Sequence, residues 1–303
     1  ILLVAHGILE SIDQSQSNPR DSFVNPNSLF QRLKLKIVQP KLLFELIYQK
    51  VKNISSKFTS IPIKIFFKNF EKIFKTFNFS FVKFVLLSEH IELELKKIKS
   101  INNFNRTVVP MPTILKNLTV KIPEDKINFG IIGYGFPEAQ LELLSFLEKQ
   151  NIPQPFNLRL IGLQPDIFKN SKKIKIIKPR NNANLSRAEM ENEIKEIHFQ
   201  IILYPQNSYR LSQSLSIFEA LRYQKPILHI KNPCISFYNT KNLPIGIECS
   251  DIQDLGLRIK YIIEDKENTK KMHKKFVNNI NIVREKYGIE NSIKIIRNFY
   301  NSN

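Results

Sequence analysis

From Ile127 onward, short apolar runs alternate with longer stretches whose apolar positions recur at helical spacing. Residues 127–133 (INFGIIG), 157–162 (NLRLIG), 173–178 (KIKIIK) and 199–204 (FQIILY) read as strands. Residues 137–150, 186–197 and 251–264 carry the i, i+3, i+4 pattern of helices buried along one side, and a helical C-terminal tail follows. Strands that alternate with helices in this way build right-handed βαβ units. The fold class predicted for 127–265 is therefore α/β, with a doubly wound parallel sheet. Ligands of such sheets bind outside the carboxyl ends of the strands, which makes the loops 133–137, 162–166 and 205–216 the functional rim.

The first part of the chain is less regular. ILLVAHGI (1–8) reads as a strand and a glycine turn, and 11–28 as a polar loop holding Pro19 and Pro26. From Phe30 to about Lys75 the chain is apolar and basic, with Phe66, Phe67, Phe70, Ile73, Phe74 and Phe77 at helical spacing. FVKFVLL (81–87) is a buried strand, after which Ser88 caps a helix whose first turn holds Glu89 and Glu92. Val108-Val109-Pro110-Met111-Pro112 closes this unit, and 113–126 reads as a linker.

Composition adds a size and a charge. The 303 residues, 42% hydrophobic and 24% charged, suffice for one large domain or two ordinary ones. The formal charge is +19, but abundant Ile, Lys, Asn and Phe with no Trp suggests AT-rich coding, which inflates Lys. Between residues 30 and 83, twelve basic residues face two acids, Glu45 and Glu71, so about ten of the net charges lie there. The stretch 30–77 either packs its apolar faces into the N-terminal domain with lysines solvated, or lies against an anionic membrane surface. No nucleic-acid motif accompanies it, and nucleic acid is not an expected partner. Cys234 and Cys249 lack metal-ligand spacing and favour a reducing compartment. No apolar run can span a bilayer, and the opening one meets His6 too soon for a signal peptide. The expected location is the cytoplasm, with peripheral membrane contact left open. The chain opens on Ile and is expected to be a fragment or a processed product.

Candidate chemistry concentrates in RLSQSLSIFEALRYQKPILHI (210–230), a serine-rich loop running into a helix and then a strand. The loop 211–216, with Ser212, Ser214, Leu215 and Ser216, offers backbone amides at a helix N-terminus, a ready anion site. Arg210 stands beside it, suited to a charge-assisted bond with phosphate. Glu219 is placed to accept hydrogen bonds from vicinal hydroxyls such as those of a ribose. A structural reading stands equally open: Ser214 or Ser216 is an N-cap and Glu219 an acid of the first turn stabilising the dipole. His90 is expected on the surface or a cleft wall. His198, His229 and His273 are expected to be core or surface residues.

SLSIFEALRYQKPIL resembles the donor-binding segment of GT-B fold glycosyltransferases of the family 4-like type (glycosyl transferases group 1). There a small-residue loop, a helix carrying Glu-Ala and a Lys-Pro-Ile strand recur together. NFGIIGYGFPEAQLELLSFLE is similar to the first strand–turn–helix of that family's second domain, and FNLRLIG to its second strand. LSRAEMENEIKEIHFQIILYP matches the helix and strand before the donor loop, and REKYGIENSIKIIRNFY the C-terminal helices. In the first half, LLVAHGILES resembles the strand and His-Gly loop at the cleft, and FVKFVLLSEHIELELKKI with VVPMP the last strand, helix and exit. The resemblance spans nearly the whole chain and rests on the order of its segments.

The resemblance implies a GT-B architecture of two Rossmann-like doubly wound domains. Residues 1–112 would form an incomplete N-terminal acceptor-side domain, 113–126 the linker, 127–285 the nucleotide-sugar-binding domain, and 286–303 a helix packing back on the first. It implies transfer of a sugar from a nucleotide-sugar to a glycan or lipid-linked acceptor, retaining and metal-independent, with no cofactor beyond the donor substrate. The donor would be held by Arg210, Ser212, Ser214, Leu215, Ser216, Glu219, Gly133 and Tyr134. His6 would be the catalytic residue near the transferred sugar. Two departures stand out. Leu211 occupies the position of a second, sugar-contacting glutamate, and the stretch Gly133–Ala139 lacks the Arg and Lys that grip the diphosphate. An impaired relative serving as a binding or scaffold subunit, or a nucleotide-sugar epimerase of the same fold, is the alternative.

Overall fold

The computed structural model describes residues 2–4, 83–97, 105–116, 126–133, 136–162, 170, 172–177 and 185–301. The polar loop 11–28, the basic stretch 30–77, His6 and Tyr134 lie outside them. The chain divides into two compact units. The first comprises Ile1–Met111, Tyr209–Gln213 and Ile295–Asn303, and the second Pro112–Ser208 and Ser214–Lys294.

In the first unit, β1 (Leu2–Val4), β2 (Lys83–Leu86) and β3 (Arg106–Val108) form a parallel sheet in that order. The Ser88 hydroxyl accepts the His90 amide and starts α1 (Glu89–Lys96), with Glu89 and Glu92 in its first turn, as the sequence predicts. Phe84, Val85 and Leu86 of the strand and Ile91 and Leu95 of the helix are buried. Each such side chain contributes about 2 kcal/mol of burial. The Arg106 guanidinium forks onto Glu92 at 2.6 and 3.1 Å, tying β3 to α1.

The second unit is a six-stranded parallel sheet. Its strands are β4 (Asn128–Ile132), β5 (Phe156–Ile161), β6 (Ile174–Ile177), β7 (Phe199–Ile202), β8 (Ile227–Ile230) and β9 (Gly246–Cys249), in the order β6-β5-β4-β7-β8-β9. Helices α2 (Pro137–Lys149), α3 (Arg187–Lys195), α4 (Leu215–Arg222) and the short α5 (Pro233–Ser236) lie between them, and α6 (Ile252–Glu264) follows β9. Then come α7 (Lys266–Arg284), a 3₁₀ turn and α8 (Ile289–Asn301). Every residue of β7 is buried. A strand covered on both faces needs apolar side chains on both, which is why FQII does not alternate. Phe129 meets Phe156 edge-on at 5.5 Å and stacks with Phe199 at 6.0 Å, at the centre of this core.

Two features escaped the sequence reading. The strand β9 is short, and its first residue, Gly246, lies so near β8 that an added Cβ would stand 1.9 Å from the Ile227 carbonyl oxygen. The segment 113–116 is fastened to the second unit. The Thr113 amide donates to Tyr287 O at 2.9 Å, the Lys116 amide to Arg222 O at 3.3 Å, and Arg284 Nη1 to Lys116 O at 2.7 Å.

Candidate functional site

The strand order of the second unit reverses between β4 and β7, and at such a switch point the loops leaving the two strands part and open a crevice. On one side β4 ends in Gly133 at φ +86°, a conformation that favours glycine, and its amide donates to Ile161 O at 2.8 Å. Among the described residues, a Cβ at Gly133 would meet nothing within 4 Å. The helix α2 then begins at Pro137, and its N-cap, Phe136, makes no side-chain cap. Its first amides therefore lack the capping oxygen that a serine would supply.

On the other side β7 leads to α4, whose N-cap is Ser214. Its hydroxyl accepts the Ser216 amide at 3.1 Å. The Tyr204 hydroxyl lies 2.8 Å from Ser214 Oγ and donates to Ser216 Oγ at 2.8 Å, and Ser216 Oγ donates to Ile132 O at 3.4 Å. One proton order satisfies all of these: Ser214 to Tyr204, Tyr204 to Ser216, Ser216 to the end of β4. Gln200 of β7 adds a bond from Nε2 to Ser216 O at 2.9 Å. The serines thus lock the first turn of α4 to both strands at the switch point. Leu215 faces outward, 59% exposed.

Glu219 lies beyond the first turn of α4, which contains no acid. The helix dipole acts within the first turn, so stabilising it is not the role of Glu219. Its carboxylate instead receives a two-pronged bond from Arg187 at the start of α3, Nη1 to Oε1 and Nη2 to Oε2, both at 3.0 Å. This carboxylate holds the Arg187 guanidinium well above its ordinary pKa. Arg187 also donates to the Tyr223 hydroxyl at 2.8 Å and to Glu191 at 3.3 Å, and its guanidinium lies over the Tyr223 ring at 5.6 Å. Glu191 is further bound by Lys116 at 2.5 Å and Arg222 at 3.4 Å. Its carboxyl is lowered to about 2, chiefly by the Lys116 bond. Burial, with the bond to Glu191, pushes the Tyr223 phenol up to about 12.

In the first unit, Tyr209–Gln213 is held by α1. Arg210 Nε donates to Glu94 Oε2 at 2.7 Å, and Lys97 binds the other oxygen of that carboxylate. These two cations keep the Glu94 carboxyl below its usual range against the opposing effect of burial. His90 Nε2 lies 3.1 Å from both Tyr209 O and Ser212 O. Both are carbonyls, so Nε2 carries the proton and donates, while Nδ1 faces Ser88 Oγ at 2.7 Å. Burial pushes His90 down to about 4, which keeps it neutral. Tyr209 adopts φ +60°, the left-handed conformation costing about 1 kcal/mol that a closed turn must offset.

No protein-family model matches the chain, and no curated protein matches it. Solved structures do. A glycosyltransferase from Rickettsia africae superposes with a TM-score of 0.52 at 12% identity, over 80% of this chain and 69% of that one. TarM of S. aureus, in a complex with fondaparinux, alpha-GlcNAc-glycerol and UDP, superposes at 0.52 and 16% identity. That match covers 73% of this chain and 44% of the TarM chain. A second TarM structure superposes at 0.51 and 15% identity over 46% of its length. The chain has the GT-B fold.

The fold class expected from the sequence is thus the one observed: α/β, with parallel sheets of GT-B type. The chain spans less than half the length of the TarM chains it matches. Within this GT-B chain the candidate residues fall in both units. Gly133, Ser214, Leu215, Ser216 and Glu219 belong to the second, where the first four border the switch point, and Arg210 and Ser212 belong to the first. Leu211 is 1% exposed. His90 is buried, not a surface residue, because its ring bonds a loop distant in sequence. Tyr204, Gln200, Arg187, Glu191 and Glu94 went unread in the sequence. Only the four-residue spacing of Arg187 and Glu191 signalled any of them there. Among the described residues no group of three His, Cys, Asp or Glu could hold a metal, and no helix is long and apolar enough to cross a membrane.

Proposed function

We propose that the chain is a glycosyltransferase that moves a sugar from a nucleotide-sugar to a glycan or lipid-linked acceptor, retaining and without a metal. The observation that carries this reading is the switch point of the second unit in a chain of GT-B fold. There Gly133, the side-chain-uncapped start of α2 and the capped start of α4 flank one crevice. A departing nucleoside diphosphate gathers negative charge as the glycosidic bond breaks. Amides at helix N-termini are fixed dipoles that stabilise that charge without reorganising. Glu219 accepts hydrogen bonds from the two ribose hydroxyls. By resemblance, the catalytic role falls to His6.

Calorimetric titration of the full chain with UDP, GDP and ADP tests the reading. One of them binds, and Glu219→Gln weakens it about tenfold or more, the worth of hydrogen bonds to a charged group. Binding to none of the three overturns the proposal. A second reading, a binding or scaffold subunit without turnover, is favoured by the buried Leu211 where a sugar-contacting acid would stand. Nucleotide binding with no consumption of any nucleotide-sugar would select it.

A further inference from the structure

The arrangement around Glu219 points to regulation of the donor site, an inference that rests on Glu219 being the ribose acceptor. Both carboxylate oxygens face the Arg187 guanidinium, one to one at 3.0 Å each. A ribose diol reaches a carboxylate in the same way, two donors side by side onto two oxygens. The same edge cannot hold both. Glu219 is only 18% exposed, so little of its carboxylate remains for an approach from another side.

Arg187 is built to leave. It occupies the first helical position of α3, 44% exposed, where a long side chain has room to swing. Released from Glu219, it keeps anchors on Glu191 through Nε and on the face of Tyr223, so its charge stays compensated. Helices that follow parallel strands start at the carboxyl edge of the sheet, so the first turn of α3 and the start of α4 lie along the functional rim.

We infer that Arg187 is an internal competitor for the ribose hydroxyls at Glu219: donor binding proceeds by exchanging the guanidinium for the two hydroxyls. The contact holds the acceptor carboxylate in one rotamer and sets a threshold that a ligand without a ribose diol does not cross. An ion pair with its cation half exposed is worth about 1 kcal/mol, so its removal tightens nucleotide binding about fivefold.

The experiment is calorimetric titration of the full chain, wild type and Arg187→Gln, with UDP, GDP and ADP and with the dideoxyribose form of whichever binds. Arg187→Gln binds the nucleotide about fivefold more tightly, and the gain vanishes with the dideoxy form and in the Arg187→Gln/Glu219→Gln double variant. Arg187→Lys, which keeps the charge without the fork, falls between. A purely structural Arg187 would give equal or weaker binding in Arg187→Gln, and that result overturns the inference while leaving the donor site standing. A gain that persists with the dideoxy form also overturns it. Failure of every nucleotide with both proteins overturns the donor reading itself, and the competitor with it.

Discussion

The ring of His273 lies edge-on to Phe199 at 5.3 Å, and its Nε2 lies 3.2 Å from the carbonyl of His198. Burial, reinforced by the nearby Lys225 cation, lowers its pKa from 6.5 to about 4. In the unfolded chain His273 takes up a proton below 6.5, whereas in the fold it does so only near 4. Between those values the unfolded state holds the extra proton, so stability falls as pH falls through this window and is fully present above it. At about pH 5 the linkage amounts to roughly 2 kcal/mol from this residue alone. Replacing it by phenylalanine keeps a ring against Phe199 but removes both the titration and the hydrogen bond, the latter worth about 1 kcal/mol. His273→Phe is therefore less stable than the wild type by about 1 kcal/mol at about pH 8, and more stable by a similar amount at about pH 5, with a crossing near pH 6. Urea unfolding followed by far-ultraviolet circular dichroism, suited to a chain without Trp, measures both ends. A variant less stable by the same amount at both pH values would refute the assignment of a buried neutral imidazole.

Two further substitutions probe the frame of the site. Tyr204→Phe breaks the hydroxyl sequence from Ser214 to Ile132 and is expected to cost about 1–2 kcal/mol in urea unfolding; unchanged stability would show that the serines hold α4 without it. Gly246→Ala sets a methyl group against the Ile227 carbonyl, a backbone atom that cannot turn aside, and is expected to cost about 3 kcal/mol. Amide exchange in β8 and β9 should rise together in that variant, and protection equal to the wild type would refute the close approach.

The sequence on its own determined the layered α/β architecture. Strands covered by helices are rich in apolar residues, and the helices laid on them must be apolar at helical spacing, so INFGIIG, NLRLIG and FQIILY with their intervening helices were legible. The Ser88 cap was legible too, and the Ser214 cap as one of two serines, because a cap acts on amides only two or three residues away. What the sequence could not supply was the partner of each charged side chain. Glu219 and Arg187 are 32 residues apart, and Arg210 and Glu94 are 116 apart. No local spacing signals such pairs, since strand order and crossover geometry bring them together. Hence Glu219 read as either a dipole acid or a free ligand, whereas the fold holds it in an ion pair. The same cause hid His90, which is polar in a helix start by sequence and buried by the loop it bonds. Local amide chemistry and burial periodicity are written along the chain. Which charges neutralise one another depends on where the chain returns, and only the tertiary structure decides that.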